Sequence, residues 1–238
     1  MISARYTLGI AGAVLLGAGS AALAAPAVVV KSSASEFPVG SKVDDADTIT
    51  LENGESVTVL TSKGSRTMKG PGTFEVGAKP KSNRARFANF TRKQAASRSG
   101  TGAVRGANDD IARPVNPNVY YVDIERSGAV CLYDLEAVRL WRPYNDGIQT
   151  YQVLDPQTDN SIDVTFDVGD SVAPLDPALL TLTEGVEYTV TGPDGASEAT
   201  ISFVNMPEEY EQADTFADAL IERGCMVQLE TLGEKLGA

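Results

Sequence analysis

Between residues 118 and 205 the chain repeats one pattern: a short strand-like segment, then a turn. The segments are 119–124, 129–133, 137–142, 149–154, 161–167, 186–191 and 199–204. Ser127-Gly128, Asn145-Asp146-Gly147, Asp159-Asn160 and Pro193-Asp194-Gly195 stand as turns between them. In a strand every second side chain falls on the same face, so such a segment buries a face against a partner layer. Seven of them, spaced about 10–12 residues apart, predict a β-sandwich of immunoglobulin type. Trp141, the single tryptophan, is expected in its core.

Residues 27–77 predict a second, smaller β unit. Val28-Val29-Val30 is a short apolar strand, while Thr48-Ile49-Thr50-Leu51 and Ser56-Val57-Thr58-Val59 alternate. Asn53-Gly54 between them predicts a type I′ hairpin, because both residues tolerate positive φ. Ser62-Lys63-Gly64 and Gly70-Pro71-Gly72 mark further turns. Ile49, Leu51, Val57, Val59, Met68, Phe74 and Val76 are expected to share one buried face.

The first residues carry an address. Arg5 precedes an apolar run from Leu8 to Leu16, and Ala22-Leu23-Ala24 is a small-x-small cleavage site. The run falls short of the ~20 residues that span a bilayer. Residues 1–24 therefore predict a signal peptide cut between Ala24 and Ala25, a periplasmic or secreted protein, and no stable membrane anchor after cleavage. In that compartment the only two cysteines, Cys131 and Cys225, predict one disulfide.

The tail predicts a helical cap. Pro207-Glu208-Glu209 suits a first turn, Ala213, Phe216, Ala217, Leu220 and Ile221 form an apolar stripe, and Arg223-Gly224 is a helix stop. Leu229, Leu232 and Leu236 predict a second short helix. The disulfide would staple this tail to the second strand of the sandwich.

Charge is segregated. Residues 78–117 hold nine Lys/Arg against two Asp, whereas residues 118–238 hold five against 23 Asp/Glu. The basic stretch is poor in apolar residues apart from Phe87 and Phe90, which predicts a flexible linker with a short helix near 84–96. It could meet an anionic envelope polymer or fold back on the acidic region. No aromatic-basic nucleic-acid motif occurs in it, so no nucleic acid is expected.

Histidine is absent, which excludes Ser-His-Asp and Cys-His catalysis and His-ligated zinc. The run Asp155, Asp159, Asn160, Asp163, Asp167, Asp170 offers oxygen ligands of the kind calcium takes, but Asp163 and Asp167 fall on the solvent face of a strand whose core side is Ile162, Val164 and Phe166. It reads as a solvated acidic edge that discourages aggregation. Carboxylates are too many for one glycosidase-like pair to stand out. Tyr120-Tyr121 and Trp141-Arg142-Pro143-Tyr144 suit core packing better than a sugar or peptide site. No catalytic, cofactor or metal residue is assigned.

Pro38-Val39-Gly40, the run from Thr48 through Glu52-Asn53-Gly54-Glu55 to Leu60, and Gly64-Ser65-Arg66-Thr67-Met68-Lys69-Gly70-Pro71-Gly72-Thr73-Phe74 resemble the FecR-like β domain. The resemblance covers residues ~36–76. It implies a periplasmic module of the kind that relays outer-membrane receptor status to a sigma factor. Here a cleavable signal is expected where those regulators carry a transmembrane helix. Trp141-Arg142-Pro143 and Arg223-Gly224-Cys225 resemble exported proteins of Gram-negative bacteria. The expected organisation is a FecR-like unit over 25–77, a basic linker over 78–117, and a sandwich with C-terminal helices over 118–238. The expected role is a non-enzymatic binding or scaffolding module in an envelope assembly, with a protein or anionic polymer as partner. The alternative is a carboxylate-dependent enzyme acting on envelope glycan.

Overall fold

The computed structural model describes residues 26–91, 113–195, 197–207 and 210–237. The expected signal peptide with its Ala24–Ala25 cleavage site, and the middle of the basic segment, lie outside the described residues. The fold is mainly β, with several sheets and three short helices.

Six strands come first: β1 (Pro26–Ser32), β2 (Lys42–Asp44), β3 (Thr48–Leu51), β4 (Ser56–Thr61), β5 (Gly64–Lys69) and β6 (Gly72–Glu75). Four make an antiparallel sheet in the order β2-β1-β4-β5, and β3 pairs with β6. Between the two sheets lie Ala27, Val29, Ile49, Leu51, Val57, Val59, Met68 and Val76, with Phe74 half-buried against them. The expected shared face is therefore present. Strand β1 is buried on both sides: Val28 and Val30 point away from this cluster and, with Leu60 of β4, join the C-terminal core.

The Asn53-Gly54 hairpin does not form as expected. A turn closes there, with the Glu55 N–H donating to the Glu52 carbonyl, yet β3 and β4 join different sheets. Gly54 has φ +86°, but Asn53 is not among the residues with positive φ. A type I′ turn needs both, and positive φ at the second central residue alone is the type II pattern, whose twist splays the flanking strands. The turn is a corner between layers.

Residues 78–91 are packed where low apolar content pointed to a flexible linker. Helix α1 (Arg84–Phe90) buries Phe87 and Phe90. Two aromatic anchors suffice to hold a short basic helix on the core.

All seven strands expected after residue 118 form: β7 (Tyr121–Asp123), β8 (Gly128–Leu132), β9 (Arg139–Trp141), β10 (Gln149–Asp155), β11 (Asn160–Phe166), β13 (Glu187–Thr191) and β14 (Glu198–Asn205). A short β12 (Val172–Pro174) adds to them. One sheet runs β11-β10-β13-β14-β8 and a second β12-β9-β7. The β8–β14 and β7–β9 pairs are parallel and the others antiparallel. Side chains of both sheets meet in one apolar core, and Trp141 is buried.

Two helices follow, α2 (Ala213–Glu222) and α3 (Met226–Leu236). Helix α2 starts later than the Pro207-Glu208-Glu209 signal suggests, and Glu208 and Glu209 lie outside the described residues. Met206 still extends the strand, donating its N–H to the Leu132 carbonyl, and the Tyr210 ring packs 5.6 Å from Phe216. Gln212 is the N-cap, and Asp214 supplies the acid of the first turn. The expected stop is present. Gly224 at φ +74° lets its N–H reach the Ile221 carbonyl and the Cys225 N–H reach that of Leu220, a Schellman motif.

The motif delivers Cys225 to Cys131, and the two are joined with Cα atoms 5.9 Å apart. Beside the bond, the buried Gln228 amide closes the outer edge of β8. It accepts the Cys131 N–H at 2.6 Å and donates to the Cys131 and Val119 carbonyls at 2.9 and 2.8 Å.

The helices also bind the N-terminal sheet. Helix α3 crosses β1 at Gly233, where a Cβ would overlap the Val30 carbonyl oxygen and lie 2.7 Å from its carbon. Ser65 and Thr67 donate their hydroxyls to the last carbonyls, of Leu236 and Gly237, at 2.7 and 2.8 Å. Lys42 pairs with Asp218 at 2.8 Å, and the rings of Phe87 and Phe216 stand 5.7 Å apart. The described parts of both β units thus share the helical layer.

Candidate functional site

The aromatic candidates separate by burial. Tyr120, Tyr121 and Trp141 lie inside, with Tyr120 against Tyr133 and Phe216. Tyr144 alone is exposed, at 47 %. It belongs to the β9–β10 loop, which meets the β11–β12 loop through two bonds: Gly169 N–H to the Asn145 carbonyl, and Asn145 Nδ2 to the Gly169 carbonyl, both 2.8 Å. On these paired loops stand Ile148, 65 % exposed, and Val168, 67 % exposed. Exposed Asp146, Asp167 and Asp170 surround them.

Arg142 lies beneath, only 1 % exposed. Its Nε donates to the Asp170 carbonyl and one Nη to the Asp167 carbonyl, both at 2.8 Å, and the other Nη to Gln149 Oε1 at 2.9 Å. The guanidinium stacks 5.1 Å from the centre of the Phe166 ring. Burial disfavours the charge and pulls its pKa below the usual arginine value, while Tyr151, Asp146 and Asp170 act the other way. A fork of five donors suits this role, because one side chain of the β9–β10 loop can hold two carbonyls of the β11–β12 loop and the Gln149 amide at the start of β10.

Arg142→Met keeps bulk and removes every donor. We expect a loss of about 2–3 kcal/mol, since charged-group hydrogen bonds are worth about 1.5–3 kcal/mol each but the freed loop carbonyls can turn to water. Arg142→Lys recovers little of it. Denaturant unfolding gives the loss, and faster exchange of the Gly169 amide shows that the brace is gone. Unchanged exchange would show that the loops hold themselves.

At the re-entry to the sandwich Arg113 stacks over Trp141 at 5.2 Å and pairs with buried Asp123 at 2.7 Å. The acidic run does not converge. Asp155 is buried and accepts the Gln157 N–H and the Thr158 hydroxyl, while Asn160 donates to the Leu179 carbonyl. Asp163 and Asp167 are exposed, opposite the inward Val164 and Phe166. Among the described residues no group of three or more His, Cys, Asp or Glu could hold a metal ion. Nor, among them, is any helix long and apolar enough to cross a membrane.

Sequence reasoning placed Arg142 only within an aromatic cluster and missed its role. The available signal was an arginine directly after the apolar pair Leu140-Trp141 and before Pro143, where a charge must be either solvated or fully hydrogen-bonded. Comparison with family models, with curated proteins and with solved structures found no match.

Proposed function

We propose that this chain is a non-enzymatic exported envelope protein, a binding or scaffolding module in a periplasmic sensing assembly. In this reading a FecR-like unit at residues 25–77 is joined through the basic segment 78–117 to an immunoglobulin-like sandwich at 118–238. The FecR-like part rests on the motifs around Asn53-Gly54 and Gly70-Pro71-Gly72. The sandwich reading is supported by two sheets, β11-β10-β13-β14-β8 and β12-β9-β7, whose inward side chains meet in one apolar core.

One observation carries the binding role: Tyr144, Ile148 and Val168 are held in water on two loops braced from below by Arg142. Large apolar side chains kept together and exposed favour a protein contact. Their acidic surround selects a partner surface apolar at its centre with basic residues around it.

The test is a pull-down from cell envelopes with the mature protein and with the Ile148→Asp/Val168→Asp variant. Wild type retains one stoichiometric partner and the variant loses it, while both melt alike. Equal retention would remove the loop end from the role. Release of glycan fragments by the mature protein would replace binding with catalysis.

A further inference from the structure

A cavity of about 310 Å³ opens between β5, the residues before α1 and the end of α3. Arg66, Lys79, Lys81 and Arg86 line it, together with Ser82 and Asn83, and among the described residues its lining contains no carboxylate side chain. Its walls are set by backbone. Ser65 and Lys81 exchange both main-chain bonds, at 2.8 and 3.0 Å, which brings Lys79 and Lys81 alongside β5. The carbonyls ending α3 are already taken by Ser65 and Thr67, so they do not compete for the cations.

Lys79 and Lys81 have no ion-pair partner among the described residues, although the chain is strongly acidic. Asn83 is only 8 % exposed, and its Nδ2 has no hydrogen-bond partner among the described residues. A buried donor without an acceptor costs about 1–3 kcal/mol, which a ligand supplying the acceptor would recover. Two lysines without an ion-pair partner and a buried, unpaired amide donor in the wall of one small concavity call for an oxygen-rich ligand of concentrated negative charge.

We propose that this cavity binds phosphate groups, with Lys79 and Lys81 as charge partners and Asn83 Nδ2 as donor to a phosphate oxygen. The site shares no residue with the loop end and adds a second contact to the binding role proposed above. A phosphate on a lipid headgroup and one on a soluble polyanion offer it the same chemistry.

Calorimetric titration of the mature protein with sodium tripolyphosphate tests this, with flotation on vesicles of phosphatidylcholine alone or with one quarter phosphatidylglycerol. Wild type binds tripolyphosphate, more weakly as salt rises. Lys79→Gln/Lys81→Gln weakens binding at least tenfold, and so does Asn83→Asp, which adds a negative charge to a position that caps no N–H through its side chain. Arg84→Gln, exposed and outside this cavity, changes it less than twofold. Flotation with phosphatidylglycerol identifies a headgroup; tripolyphosphate binding without flotation identifies a soluble phosphate. Absence of heat overturns the site, as does an Arg84→Gln loss equal to that of the lysine pair, the mark of diffuse attraction. If the envelope partner is still retained then, the binding role stands without this site. If phosphate binds but no partner depends on Ile148 and Val168, the reverse holds.

Discussion

Gly233→Val lowers the melting temperature of the protein by roughly 8–16 °C, on a scale of about 2–4 °C per kcal/mol for a chain of this size. In an isolated helix the substitution would be mildly favourable, because glycine is about 1 kcal/mol worse than alanine there and valine lies between. Packing reverses the sign. A Cβ at 233 overlaps the Val30 carbonyl and stands 3.1 Å from the Val30 Cβ, and that carbonyl belongs to the central part of β1. Backbone cannot rotate away as a side chain can, so α3 must lift from the sheet. Lifting it also loosens Leu229, Leu232 and Leu236, all buried in the same core. Overpacking costs about 1–3 kcal/mol for a methylene in a core and more against backbone, so we expect about 4 kcal/mol. Glu234→Ala, at the exposed neighbouring position, stays within about 0.5 kcal/mol. Thermal melts of both variants decide it, and a Gly233→Val protein as stable as wild type would mean that α3 does not lie on β1.

The contact at Gly233 was not legible in the sequence, although the two elements making it were. Strands and helices announce themselves through short-range periodicity, and so all seven C-terminal strands and the Leu229-Leu232-Leu236 stripe could be placed. The faces they present follow from the same alternation, as for Ile49, Leu51, Val57, Val59 and Met68. Which element covers which face depends on pairs far apart in the chain. Val28 and Val30 looked like one short apolar run, and nothing nearby says that Val29 turns to β3–β6 and its neighbours to α3. Asn53-Gly54 shows the same limit within a turn. The dipeptide permits type I′, but only the pull of two separate sheets decides that Asn53 keeps an ordinary φ. The candidate site was harder still. Arg142 is a charge whose three acceptors, Gln149 and the carbonyls of Asp167 and Asp170, lie 7 to 28 residues further along the chain, and Asn83 matters for a bond it lacks.

Removing the cross-link in Cys131→Ala/Cys225→Ala costs about 4–5 kcal/mol, the chain-entropy figure for a closed loop of this length, whose ends lie 94 residues apart in sequence. The loss reads as a fall of roughly 8–20 °C in melting temperature. Reducing the wild-type protein should reproduce it, and mass comparison after alkylation should find no free thiol before reduction. Position makes the bond matter beyond entropy. It ties β8, an edge strand of the five-stranded sheet, to the turn between α2 and α3, and those helices cover both β units. Two other devices hold the same junction: the Schellman turn at Gly224, and Gln228 with its three bonds to Cys131 and Val119. They act only while the helices are docked, whereas the disulfide also restricts the unfolded chain. Two outcomes can therefore be told apart by hydrogen exchange. If the bond acts mainly through the unfolded state, α2, α3 and the β10–β11 hairpin all lose protection equally in the variant. If it also clamps the docked helices, α2 and α3 exchange faster than the hairpin, and the backbone amide at position 131, held by Gln228, opens with them. A loss below about 1.5 kcal/mol would show that Gln228 and the Gly224 turn hold the junction without the bond.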